Sequence, residues 1–235
     1  MKSAGAFLGR IRRELKRRGS PAMARSVQQF FKEPVPAYGW RTAEVRQLAQ
    51  RLRREMAGDA QLLFAVAEKL FAGPTIEEQS LGVILLERVA RKFGAREFRR
   101  LERWLPRVKN WAACDALCEN LLGAVLLREA RLATRVHRWA RSRNFWRRRA
   151  AAVSLVPAAR RGVYTKEIFQ VATRLLGDDE YMVQKGVGWL LREAAKARPR
   201  KVVPYLVRVR RRAPRLVLRT ASETLPARAR RRVLA

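Results

Sequence analysis

A carboxylate and an indole stand at a spacing that could serve chemistry. Trp111 and Asp115 lie four residues apart just after Asn110, a typical helix N-cap, so both side chains are expected on one face of a helix. An acid in an early helical turn also faces the helix dipole favourably, and Asp115 could simply pair with a neighbouring arginine. On spacing alone, this structural interpretation is favoured over a catalytic one.

Asp115 occupies a position that recurs at a nearly regular interval along the chain. Four residues follow one another at steps of 35, 34 and 36 residues: Ser80, Asp115, Arg149 and Lys185. The stretch QSLGVILL at 79–86 also resembles QKGVGWLL at 184–191. A repeat of this length predicts stacked helical pairs, whose curvature creates an extended concave surface. Trp189 follows Lys185 by one helical turn, where a core tryptophan is the ordinary interpretation.

The hydrophobic pattern predicts an all-α fold. Apolar residues recur at three- and four-residue spacing between Gly or Pro breaks, and no sustained period-two run is present, which indicates about a dozen helices. The length suits a single domain of such repeats over 1–235. A basic amphipathic helix is expected at about 7–18, where a transit peptide or membrane-surface helix is the less favoured alternative. The arginines of 208–212 and 228–232 show no pattern, so we expect only a solvated cap or loosely ordered tail there.

The charge demands a polyanionic partner. Lys and Arg number 53 against 20 Asp and Glu, a formal net charge of +33. With 48% hydrophobic residues and six tryptophans the chain has ample material for a core, so this charge must lie on a folded surface. Nucleic acid is favoured over an acidic membrane. No apolar run reaches the roughly 18 residues of a membrane span, and we expect a cytoplasmic protein.

Metal chemistry is not expected. Cys114 and Cys118 are the two cysteines and His137 is the single histidine, which is too few at too great a separation for a zinc site. Cysteines one helical turn apart are poorly placed for a disulfide, so we predict that both pack in the core. No cofactor is expected.

Four stretches of the sequence form a recognisable set, of which VQKGVGWLLRE at 183–193 is the most specific and the others lie at 144–151, 109–115 and 38–46. In type and order they resemble a known family, the bacterial AlkD-type alkylpurine DNA glycosylases, which are built as a single domain of HEAT-like repeats. The resemblance implies that Asp115 is the catalytic carboxylate, that Trp111 and Trp189 flank it, and that Arg149 binds the DNA backbone. It also implies excision of cationic N3- or N7-alkylpurines from duplex DNA without base flipping, by a bacterial, monomeric enzyme associated with the nucleoid when bound.

Further residues are expected to hold DNA, although a solvated basic face is the alternative for any one of them. They are Arg147, Arg148, Lys185, Lys109, Arg41 and Trp40. The sequence also departs from the family at Ser26, where relatives have an aromatic, at Ala43, where a proline is common, and at Ala112, in place of a further acid. These departures concern the substrate range and the grip on DNA near the N-terminus more than the chemistry.

Two other functions fit the composition. A non-catalytic repeat protein that binds damaged or branched DNA by shape would be equally basic. A protein-interaction scaffold of the HEAT kind would be less uniformly basic. Asp115 favours the enzyme, because a carboxylate repels phosphate and a pure binder has no reason to place one in a basic groove.

Overall fold

The computed structural model describes residues 3–235, which group into two compact units. One ends at Lys92 and the other spans Phe93–Ala235. All regular structure in the described part of the chain is helical, which confirms the all-α prediction. The prediction of a single domain over 1–235 stays a prediction.

The first unit contains five α-helices. They are α1 (Ala4–Arg17), α2 (Pro21–Gln28), α3 (Thr42–Glu55), α4 (Ala60–Phe71) and α5 (Ile76–Glu87), followed by a 3₁₀ turn at Ala90–Lys92. The basic helix predicted at about 7–18 is α1, which begins three residues earlier because the Ser3 hydroxyl caps it by accepting from the Ala6 amide. Helix α5 is the centre of this unit, since α3 and α4 both pack against it.

The second unit has shorter helices. They are α6 (Ala95–Glu102), α7 (Trp111–Asp115), α8 (Gly123–Leu126), α9 (Ala133–Trp139), α10 (Phe145–Val153), α11 (Val156–Arg160), α12 (Thr165–Leu175), α13 (Tyr181–Ala197), α14 (Pro199–Val209), α15 (Arg215–Ser222) and α16 (Ala227–Leu234). A π-helical segment, Ala116–Leu122, joins α7 directly to α8, and 3₁₀ turns lie at Leu105–Arg107 and Ala130–Leu132.

Helix α13 is the centre of the second unit, with α10, α11 and α15 packed around it. Two glycines in the GVG of its sequence make this packing close. A Cβ on Gly188 would lie 2.6 Å from the Thr220 Cβ of α15, and one on Gly186 would lie 3.3 Å from the Cγ of Arg149 on α10. The motif that resembles the family's most specific stretch is therefore also the one that lets three helices approach.

Of the two alternatives expected for the C-terminal arginines, the structure shows the solvated cap and not the loosely ordered tail, because the exposed arginines of 228–232 belong to an ordered helix. Residues 227–234 form helix α16, and Val233 is fully buried. The Arg210 and Arg215 side chains donate to the carbonyls of Arg232 (3.0 Å) and Leu234 (2.7 Å). One buried residue among many arginines is too weak a pattern to predict from sequence, yet Val233 together with these two hydrogen bonds anchors the helix.

Candidate active site

Helix α7 places Trp111 and Asp115 as predicted, at its first and last residue. The Asn110 side chain is the N-cap, since its Oδ1 accepts from the amide of Ala113 at 2.8 Å. Because Trp111 and Asp115 are four residues apart, they lie on the same side of the helix. Both are half-buried, so an indole and a carboxylate reach the surface together.

The backbone changes from α- to π-helical immediately after Asp115. The π segment covers Ala116–Leu122, and single π turns inside α-helices occur frequently at functional sites. At its end, Gly123 lies so close to α11 that a Cβ would be 2.7 Å from the Cγ of Pro157. The widened turn and the glycine thus fix the helix that bears Asp115 against its neighbours.

Arg149 of α10 grips the Asp115 carboxylate with both arms of its guanidinium. The Nε donates to Oδ1 at 2.9 Å and the Nη2 donates to Oδ2 at 2.7 Å. The Arg149 Nη1 also donates to the Met182 carbonyl at the start of α13. The side chain of Arg149 is 6% exposed and that of Asp115 is 17% exposed, so the pair is largely removed from water. This is the neighbouring-arginine pairing that the sequence left open.

The pKa of Asp115 is raised above its ordinary value of 3.8. Burial is the main cause, and the negative charge of Glu119 adds to it, whereas the hydrogen bonds and charge of Arg149 act in the opposite direction. The pKa of Arg149 is raised as well, because the bonds to Asp115 outweigh its own burial. Acceptance by both Asp115 oxygens is the geometry of an ionised carboxylate.

Trp189 of α13 is half-buried and joins this region through Arg160. The Arg160 guanidinium carbon lies 5.8 Å from the centre of the Trp189 ring, within the range of a cation–π contact. Arg160 also binds Glu119 in the π segment and donates to Glu193 of α13 at 3.3 Å. Trp189 is therefore linked to the segment that follows Asp115, through an arginine that the sequence analysis did not single out.

The other basic residues predicted in this unit differ in their surroundings. Lys109 and Lys185 are exposed, and the Lys185 Nζ lies 5.2 Å above the Tyr181 ring. Arg147 approaches Glu102 at 3.9 Å. Arg148 is engaged by Asp178 at 2.5 and 3.1 Å and by two backbone carbonyls, so its guanidinium is already held in place.

In the first unit, the structure separates two neighbouring residues that the sequence grouped together. Arg41 is exposed, whereas Trp40 is 5% exposed and its Nε1 donates to the Leu15 carbonyl at 3.0 Å. The Arg18 guanidinium lies 4.6 Å from the Trp40 ring centre. The predicted DNA contact by Trp40 is wrong for its side chain, because a core indole has no exposed face to offer a nucleic acid.

Both cysteines are free and buried, as predicted. The pKa of Cys114 is raised, chiefly by burial. Among residues 3–235, no group of three or more His, Cys, Asp or Glu side chains is placed to hold a metal ion. No helix in this part of the chain is long and apolar enough to cross a membrane.

Sequence reasoning missed Arg160, Glu119 and Glu193. Glu119 had a signal, since it stands four residues after Asp115 and such residues share a helical face. Arg160 had none, because its partners are 41 and 33 residues away along the chain.

The helices follow one another closely along the chain, and one of them carries a carboxylate that an arginine binds. These features are those of an all-helical repeat protein with a charged site between its helices. Comparison with known proteins identifies the family of this repeat protein. The family model for DNA alkylation repair enzymes matches residues 11–225. The chain therefore belongs to the DNA alkylation repair enzyme family.

Solved structures share the fold. A protein of Enterococcus faecalis described as a predicted DNA alkylation repair enzyme aligns with a TM-score of 0.79 at 19% identity, over 89% of this chain and 97% of its own. AlkD2 from Streptococcus mutans aligns with a TM-score of 0.62 at 18% identity, over 96% and 100%. The smu.31 protein of Streptococcus mutans UA159 aligns with a TM-score of 0.59 at 20% identity, over 78% and 92%. No curated protein sequence matches the chain.

Proposed function

We propose that this protein is a monofunctional DNA glycosylase that excises N3- and N7-alkylated purines from duplex DNA. The observation that supports it most is the Asp115 carboxylate, which is held by Arg149 beside the half-buried Trp111 in a chain of net charge +33. Membership of the DNA alkylation repair family supports alkylated DNA as the class of substrate. The monomeric state and the cytoplasmic location stay predictions.

The proposed excision reaction needs little catalytic assistance from the protein. Alkylation at N3 or N7 makes the purine cationic and hence a good leaving group, so the main task is to stabilise the positive sugar that remains. At about 4 Å and an effective dielectric near 20, a carboxylate stabilises such a charge by roughly 4 kcal/mol, which is about three decades of rate. Asp115 is proposed to supply this stabilisation, and no general acid is needed.

The neighbours of Asp115 take positioning and binding roles in this proposal. Arg149 fixes the plane of the carboxylate, which differs from the backbone contact that the resemblance implies, since its guanidinium already binds Asp115 and the Met182 carbonyl. Trp111 offers the negative face of its ring to the sugar cation. The carboxylate also orients the water that attacks the sugar carbon. Trp189 flanks the site together with Arg160.

Phosphate contacts are assigned to exposed basic residues. Lys109, Lys185 and Arg41 are exposed, and Arg147 is half-buried. Arg148 is proposed to act mainly by holding Asp178 at the start of the loop before α13. In this proposal the base is not enclosed, so neutral lesions should be poor substrates.

The test is release of 7-methylguanine and 3-methyladenine from methylated duplex DNA at low salt. Asp115→Asn should lower the rate at least about tenfold, which corresponds to roughly 1.4 kcal/mol of barrier. Asp179→Asn is the matched control, since Asp179 is an exposed aspartate outside the site. Equal release by the wild type and Asp115→Asn would remove Asp115 from the mechanism.

Folding must be separated from chemistry, because Asp115→Asn leaves Arg149 buried without its counter-charge. Breaking a buried pair from one side costs roughly 3–5 kcal/mol of stability. The double variant Asp115→Asn/Arg149→Met removes both charges and should regain part of that stability in urea unfolding. It should remain inactive, since restored folding without the carboxylate cannot restore the reaction.

A second candidate function is non-catalytic binding of damaged or branched DNA by shape. The observation that favours it is that Arg149 occupies both oxygens of Asp115, which makes the carboxylate a structural partner. Tight binding of methylated or branched duplex with no release of base by the wild type would support this function over the glycosylase.

A further inference from the structure

The first unit contains a polar cleft outside the residues assigned above. It has a volume of about 190 Å³ and lies between α3 and α5. Its lining consists of Arg46, Gln47, Gln50, Arg53, Ile84, Glu87 and Arg88. One water needs roughly 10–15 Å³ of such space, so the cleft has room for a tetrahedral anion together with several waters.

Helical geometry directs the donors of α3 into this cleft. Arg46, Gln50 and Arg53 stand at positions i, i+4 and i+7, and residues at these spacings share one face of a helix. Arg88 faces them from the C-cap of α5. Two neighbouring helices thus present three guanidinium groups and two amide side chains to one space.

The charge of the cleft is only partly balanced. Glu87 accepts from the Nη1 of Arg46 at 3.0 Å. Within the described part of the chain, neither Arg53 nor Arg88 has a carboxylate at ion-pair distance. Three arginines against one glutamate leave a net charge of about two in a concave space, which favours an anion.

Arg53 is fixed in place before any ligand arrives. Its Nη1 donates to the Ile84 carbonyl in the last turn of α5 at 2.7 Å. A guanidinium has five N–H donors in a rigid fork, so this bond positions the group and leaves further donors for an anion. The pKa of Arg53 is lowered, first by burial and then by the positive charge of Arg88, which an anion would relieve.

We propose that this cleft binds a phosphate group, and that the group is a phosphodiester of the DNA backbone. Guanidinium forks match the oxygens of phosphate, and glutamine amides add neutral donors. The choice of DNA as the source of the phosphate rests on the proposed function. The cleft then holds the duplex through the first unit, independently of the chemistry at Asp115.

The first experiment measures binding of undamaged duplex by fluorescence anisotropy over a series of salt concentrations. Arg88→Gln and Arg53→Gln should each bind about tenfold more weakly than the wild type and lower the slope of log K against log salt by about 0.9, the value for one lost phosphate contact. Arg13→Gln is the control, because it removes the same charge from an exposed arginine of α1 that does not line the cleft. Arg88→Gln changes an exposed side chain, so it keeps the test valid if Arg53→Gln does not fold.

The second experiment separates DNA from free phosphate. Inorganic phosphate is titrated into the wild type and the three variants at constant ionic strength, and Tm is recorded, since a ligand of the folded state raises Tm. A Tm rise lost in Arg88→Gln and Arg53→Gln, with unchanged DNA binding, would show a free-phosphate site and overturn the DNA source. Cleft variants that match Arg13→Gln in both experiments would overturn the proposal. Neither readout involves base excision, so failure of the glycosylase proposal leaves these outcomes distinct.

Discussion

The buried pair of Asp115 and Arg149 is better explained by orientation than by stability. Removing two charges from water is costly, and well-packed apolar residues often stabilise a protein as well as a buried ion pair does. Asp115 keeps 17% of its side chain exposed, and Arg149 keeps 6%. A ligand can therefore contact the exposed part of the carboxylate, while Arg149 fixes the orientation of the carboxylate from its buried side.

The raised pKa of Asp115 predicts the acid side of the pH profile. The proposed mechanism needs the ionised carboxylate, so activity should fall as the pH is lowered through the pKa, and this should happen at a higher pH than for an ordinary aspartate. Glu119→Gln removes a negative charge that raises this pKa and should move the fall to lower pH. The measurement is kcat/KM for 7-methylguanine release against pH, corrected for release without enzyme.

The control for this profile is Glu223→Gln, since Glu223 binds Arg192 and does not act on the pKa of Asp115. It should leave the fall in activity at the wild-type pH. A profile that Glu119→Gln does not move would contradict the electrostatic origin of the shift.

At the scale of single residues, the sequence predicted which residues form the candidate site better than it predicted their contacts. Helical spacing was enough to place Trp111 and Asp115 together, because four residues separate them on one helix. The partner of Asp115 lies 34 residues away, and a surplus of arginines offers many candidates for one acid. Trp40 was assigned wrongly for a related reason, since sequence cannot tell a core indole from an exposed one.

Among the elements, the helix interrupted by the π segment is the one that the site depends on. It runs through α7, Ala116–Leu122 and α8 without a break. A π turn inserts one residue into the α-helical pattern, so it changes which residues face the neighbouring helices on its two sides. No periodicity in the sequence marks this insertion, and it was not predicted. The outer bounds of the helices, by contrast, follow from Pro, Gly and capping residues.

Gly123→Ala should destabilise the second unit at the end of the π segment. Its Cβ would lie 2.7 Å from the Pro157 Cγ and 2.9 Å from the Ser154 carbonyl oxygen, too close without a shift of the backbone. Overpacking of this kind costs roughly 1–3 kcal/mol of the free energy of unfolding. Urea unfolding followed by circular dichroism measures it.

Gly177→Ala is the matched variant, since a Cβ at Gly177 meets nothing within 4 Å. It should leave the midpoint of unfolding close to that of the wild type. Equal midpoints for Gly123→Ala and Gly177→Ala would show that α8 and α11 move apart without cost.

At the scale of the whole molecule, the positive net charge governs the binding of DNA. Many arginines are engaged by acids within the fold, yet 53 basic residues exceed 20 acidic ones by 33, so most positive charge has no acidic counterpart. This excess was readable from composition alone. The gathering of positive charge in a cleft, where some arginines have an acidic partner and others have none, could not be predicted from composition. It depends on which helix faces lie next to each other in the fold.

Binding of duplex DNA should weaken steeply with salt. A protein that contacts roughly 6–10 phosphates loses about 10³–10⁵ in affinity between 50 and 200 mM salt, because each contact releases a condensed counterion. Fluorescence anisotropy with an undamaged duplex measures this dependence. A loss below about tenfold over that range would contradict a binding mode dominated by the phosphate backbone.

The two buried thiols give the molecule an internal reporter. Cys114 and Cys118 lie on either side of Asp115 and the start of the π segment, and only a thiolate in contact with solvent reacts with an alkylating or disulfide reagent. Their rate of chemical labelling therefore measures how often this helix opens. Slower labelling in the presence of DNA means that the ligand rigidifies the helix bearing the carboxylate, and this can be observed before any reaction is known.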